Sequence, residues 1–67
     1  MTQQQVILEH LETYNSITPL DALTRYGIMR LAARVSELKS EGYPIVATMK
    51  KHNGRRYASY TLGEAYE

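Results

Sequence analysis

The chain has 67 residues, no cysteine, 43% hydrophobic and 22% charged residues, and a formal net charge of +1. One small domain of this length buries roughly 60% of the surface its unfolded form exposes, and with no disulfide framework or thiolate zinc site to supplement the core, packing must hold it alone. No apolar stretch approaches the roughly 20 residues that cross a bilayer, and the MTQQQ start lacks the cationic opening of a signal peptide, so a cytoplasmic protein with no membrane partner is expected.

A first helix is predicted to start near Thr2, whose hydroxyl can cap free backbone N–H groups while Gln5 reaches back, as in a capping box. Val6, Ile7, Leu11 and Tyr14 recur at helical spacing, with Leu8 extending the apolar face. Asn15 and Ser16 stop it, and Ile17 is placed as a hydrophobic staple before a second start signal. In Thr18-Pro19-Leu20-Asp21, Thr18 is an N-cap, Pro19 takes the first helical position, and Asp21 closes the box. This short helix is expected to carry Leu20 and Leu23 inward and to end at Gly27, which can adopt the positive φ of a tight turn. A third helix is predicted from about Ile28 to Glu41, with Ile28, Leu31, Val35 and Leu38 on its inner seam and Gly42 as terminator.

After Gly42 the period changes to alternation. Ile45, Ala47 and Met49 point one way, and Ala58, Tyr60 and Leu62 repeat the pattern beyond Asn53-Gly54. Asn-Gly favours a two-residue type I′ turn, and centring the turn there pairs His52 with Arg55, Lys51 with Arg56, Met49 with Ala58, Ala47 with Tyr60 and Ile45 with Leu62. Apolar meets apolar in that register, which a one-residue slip would destroy. The expected fold is α+β: three helices followed by a two-stranded β-hairpin, in a single domain over 1–67 with its core at about 2–62 and a short acidic tail at 63–67.

The near-neutral total hides a strong asymmetry. All eight Lys and Arg lie between Arg25 and Arg56, against only Glu37 and Glu41 in that span, while Glu9, Glu12 and Asp21 precede it and Glu64 and Glu67 follow. A field of this kind on a surface helix and a neighbouring hairpin tip attracts the phosphates of a nucleic acid.

A short helix joined by a glycine turn to a longer basic helix has the sequence form of a helix-turn-helix, whose second helix enters the DNA major groove. On the third helix the outward positions are Arg30, Ala33, Arg34, Glu37 and Glu41, flanked by Met29 and Ser36. Arg30 and Arg34 offer forks to guanine, Met29 and Ala33 can touch thymine methyls, and Glu37 can accept from cytosine. The alternative is a solvated salt-bridge lattice of the two arginines with Glu37 and Glu41. At the hairpin tip, Lys50, Lys51, His52, Asn53, Gly54, Arg55 and Arg56 concentrate four cations and a histidine, suited either to a DNA backbone or minor groove or to keeping the strand edge soluble. His10 and His52 have no ligand at metal spacing. No nucleophile elbow, phosphate-cradling glycine loop or clustered carboxylate pair is present, so neither an enzyme nor a cofactor is expected.

The residues Ile17, Thr18, Pro19 and Ala22, then Gly27, Ile28, Arg30, Leu31, Ala32, Ala33 and Arg34, then Leu38, Gly42 and Tyr43 resemble the pattern of a family of small winged helix-turn-helix domains of phages and prophages, with Val35 in place of an isoleucine. The resemblance runs from Val6 to Leu62. It implies a double-stranded DNA-binding protein of a bacterial host cell, a transcription regulator or excisionase-like factor, with Arg30 and Arg34 on the recognition helix; because one module buries only about 600–1,000 Å² against DNA, a homodimer or a cooperative array is expected. The alternative of a different class is an interaction protein that uses the same basic face on a host protein or nuclease.

Overall fold

Two capping boxes set the frame of the helical half. In this computed structural model, which describes residues 2–63, Thr2 Oγ1 accepts from the Gln5 N–H at 3.2 Å and Gln5 Oε1 accepts from the Thr2 N–H at 2.9 Å, opening α1 (Gln3–Tyr14). Thr18 and Asp21 repeat the exchange at 3.1 and 3.2 Å and open α2 (Pro19–Tyr26), with Pro19 at its first turn. Each box satisfies N–H groups that have no partner within the helix. The acidic tail expected at 63–67 lies, apart from Gly63, outside the described residues.

Between the two helices the chain makes a strand that the sequence does not announce. Asn15 turns left-handed at φ 73°, and β1 (Ser16–Ile17) then pairs antiparallel with the last strand, Ser16 opposite Thr61 and Ile17 opposite Tyr60. The expected two-stranded hairpin is therefore a three-stranded sheet of order β1-β3-β2, formed with β2 (Ile45–His52) and β3 (Arg55–Leu62). The correction has a simple cause: the two residues before Thr18 must be extended to reach its N-cap geometry, and an extended backbone beside β3 finds its hydrogen-bond partners there. Ile17 is a fully buried strand residue at the centre of this junction.

The hairpin follows the register set by its turn. Asn53 and Gly54 both have positive φ, at 51° and 77°, and all five expected pairs, from His52 with Arg55 to Ile45 with Leu62, are present. Burial departs from the alternation, however. Ile45 and Tyr60 are core, but Met49 is 64% exposed and Ser59, on the opposite face, is buried. On this face the β3 side packs, with Tyr60 buried and Ala58 partly buried against the core, while Ala47 and Met49 of the outer strand β2 are left uncovered.

Helix α3 (Leu31–Ser40) begins three residues later than the periodicity suggests. Gly27 closes α2 in the left-handed region at φ 68°, its N–H bonding the Leu23 carbonyl and that of Ile28 the Ala22 carbonyl, both at 3.0 Å. Ile28 is thus buried by the turn itself, and Arg30 serves as a helix cap with no side-chain hydrogen bond. Leu31, Val35 and Leu38 face the core as expected, joining Ile7, Leu11, Ile17, Ala22, Ile28, Ile45 and Tyr60.

The inward assignment of Leu20 and Leu23 is overturned: they are 68% and 49% exposed, and Ala22 is the residue of α2 that is buried. Leu20 lies about 160° around the helix from Ala22, given 100° per residue, and the small Ala22 lets α2 sit close to the core. On α1, the place expected for Tyr14 is taken by His10, which is 4% exposed while Tyr14 is more than half exposed. His10 also has a partner the sequence does not reveal: its Nδ1 lies 2.7 Å from Tyr26 Oη, with the two rings edge to face. Tyr14 stacks at 4.7 Å from His10 and receives the Arg25 guanidinium at 5.0 Å.

Two substitutions separate these contributions. Ile17→Ala should destabilise by about 2–5 kcal/mol, because it empties a closed site. Tyr26→Phe should cost about 1–3 kcal/mol by leaving a buried imidazole nitrogen unpaired. Urea unfolding monitored by circular dichroism reads both.

Candidate nucleic-acid interface

The hairpin's register controls where its charges go. Lys51 stands directly opposite Arg56, and His52 opposite Arg55. Like charges facing each other across a strand pair are unfavourable, and alternation sends Lys51 and Arg56 to one face of the ribbon and Lys50, His52 and Arg55 to the other. All five side chains are exposed, and none has a carboxylate partner among the described residues. Asn53 and Gly54 form the tip between them. The wing is thus a protruding, two-faced cationic ribbon with its own repulsion uncompensated.

On α3 the geometry divides the predicted residues. Arg30 is exposed at the helix start and Met29, in the turn before it, is 85% exposed. Arg34 instead lies half-buried, with its guanidinium 3.1 Å from Glu37. Glu37 also accepts a hydrogen bond from the Gln4 side chain of α1, so this pair belongs to the edge where α3 meets α1. The Arg34 Nε is buried with no hydrogen-bond partner. Part of the salt-bridge alternative is therefore realised, through Arg34 and Glu37. Ala33 is half-buried, whereas Ala32, Ser36 and Lys39 are exposed. Lys39 is an available cation that the outward face assigned from the sequence leaves out. The cause is rotational: the seam Leu31, Val35 and Leu38 fixes one face, but which flank α1 covers is decided by tertiary packing.

The wing, the start of α2 and the turn before α3 border an open groove of about 830 Å³. Its walls are the start of α2, with Leu20 and Leu23, the turn residues Ile28 and Met29, and the wing residues His52, Arg55, Arg56 and Tyr57. The approach to α3 and the wing tip therefore border one space. Arg34 is not part of it. A smaller groove runs along α1 to the end of α2, lined by Glu9, His10 and Tyr26. Among the described residues there is no cluster of His, Cys, Asp or Glu able to hold a metal ion, and no helix long and apolar enough to cross a membrane.

The Arg34–Glu37 pair is partly solvated and should contribute little to stability. Glu37→Ala is expected to change the unfolding free energy by no more than about 0.5–1 kcal/mol in chemical denaturation; a much larger loss would mean that the contact with Gln4 clamps α1 to α3.

A family model described as a winged helix-turn-helix domain matches residues 2–65. No curated protein and no solved structure matches the chain.

Proposed function

The chain belongs to the winged helix-turn-helix domain family, and from that premise we propose that it binds double-stranded DNA, with α3 entering the major groove and the β2–β3 wing on the backbone or in the adjacent minor groove. The observation that carries the proposal is the wing: Lys50, Lys51, His52, Arg55 and Arg56 are exposed and unpaired by carboxylates among the described residues, so an external polyanion supplies the missing counter-charge. Asn53 and Gly54 let the tip approach closely.

In this reading Arg30 takes a phosphate at the start of α3, Met29 is the first residue on that side to meet base edges, and Ala33 follows. Arg34 and Glu37 act as a coupled pair: a phosphate or guanine that takes the Arg34 guanidinium must compete with Glu37, and Glu37 can in exchange accept from a cytosine amino group. One module of this kind covers only about 600–1,000 Å² of protein surface against DNA, which favours a dimer or side-by-side loading. A role as a phage-type regulator or excisionase-like architectural factor fits a small winged unit with a cationic wing of this kind. It binds and does not catalyse.

The test is duplex retention as a function of salt. With Arg30 and four wing cations on phosphates, log affinity should fall against log salt with a slope of about −4.5. Lys51→Ala/Arg56→Ala should flatten that slope by about 2, whereas Arg30→Ala/Arg34→Ala should flatten it by only about 1, because Arg34 is already engaged by Glu37. Fluorescence anisotropy on a random duplex reads these values; no retention at low salt, or two unchanged double variants, would sink the proposal.

A further inference from the structure

The groove between α2 and the wing carries more apolar surface than a phosphate backbone can use. Leu20 and Leu23 are one helical turn apart, so they form a single ridge, and they are 68% and 49% exposed. Met29, 85% exposed, continues the ridge across the turn. Facing it are His52, Arg55 and the half-buried Tyr57 on one face of the ribbon, while Arg56, of the opposite face, borders the groove. One carboxylate, Asp21, borders the groove, but it accepts the Thr18 N–H at 3.2 Å at the start of α2 and is held there by the capping box. The site therefore has an apolar floor along one wall and a cationic rim along the other.

From this arrangement we infer that the groove docks an acidic amphipathic helix of a partner protein. A DNA strand would satisfy Arg55 and Arg56 yet set Leu20 and Leu23 against sugar and phosphate, which offer little apolar surface to cover them. A helix with leucine-type residues on one stripe and Glu or Asp beside it meets both walls at once, its ridge packing against Leu20, Leu23 and Met29 and its carboxylates facing Arg55, with Arg56 at the border. The space suits this occupant: about two turns of a helix roughly 10 Å across occupy a volume similar to that of the groove. Because Arg55 serves both ligands, the helix and duplex DNA exclude one another. Docking does not depend on the DNA-binding reading, since its apolar determinants, Leu20 and Leu23, are outside the cation set that reading uses.

A designed peptide of about 18 residues, with Leu at helical i, i+4 and i+7 positions, Glu only at the positions flanking that stripe, and Ala and Gln elsewhere, is the probe, and the same peptide with Ser for Leu is the control. By anisotropy the protein should bind the Leu peptide about tenfold or more tightly than the control, and labelled methyl groups of Leu20, Leu23 and Met29 should shift in NMR spectra. Leu20→Ser/Leu23→Ser should erase the preference while duplex affinity stays within about twofold; Arg55→Ser/Arg56→Ser should weaken peptide and duplex alike. Equal binding of the two peptides, or unmoved methyl resonances, overturns the inference. So does a loss of about tenfold or more in duplex affinity for Leu20→Ser/Leu23→Ser, which would make the groove a nucleic-acid surface. Duplex retention by the unaltered protein is read separately, so failure of the DNA proposal and failure of this one are distinguishable.

Discussion

The pairing of Ile17 with Tyr60 is the constraint on which the rest depends. It binds the two residues ahead of α2 to the base of β3, and it buries Ile17 completely among residues of all three helices and the sheet. Because Thr18 follows immediately as the helix cap, the direction of α2 is set by the strand that precedes it. Because β3 continues into the wing, the wing's root is fixed by the same pair. One two-residue strand thereby fixes the angle between a helix-turn-helix and a cationic ribbon, and the groove between them is what that angle leaves open.

Much of this was legible where the determinants are local. The two capping boxes involve residues three apart, Thr2 with Gln5 and Thr18 with Asp21, and sequence proximity is enough to recognise them. The hairpin register was legible because two independent signals, Asn53-Gly54 and the alternation on either side, agree on one solution. What stayed hidden depends on which neighbour arrives. Ser16–Ile17 is too short to show a period, and its partner lies more than forty residues away. In an eight-residue helix, Leu20 and Leu23 looked like core by composition, but close approach favoured the small Ala22. His10 and Tyr26 are sixteen residues apart, with nothing in either local pattern to link them.

The candidate site divides the same way. Charge on the wing follows directly from the register and is exposed as a matter of geometry. The face of α3 is harder, because an amphipathic pattern identifies the buried seam and leaves its two flanks equivalent. Packing of α1 breaks the equivalence, taking Glu37 and with it Arg34 to one flank, so Ala32, Ser36 and Lys39 look outward on the other.

The short reach of β1 has one more effect. It pairs with β3 only at Tyr60 and Thr61, so among the described residues no strand flanks β3 from Arg55 to Ser59 on the side away from β2, and β2 is the outer strand of the sheet they form. Bare strand borders are templates for joining another chain, and lysine and arginine are a common deterrent. Here the deterrent is the same set of charges that a polyanion would neutralise. One set of side chains thus keeps the ribbon's open borders soluble and gives it its attraction for polyanions, so removing these cations would weaken both at once.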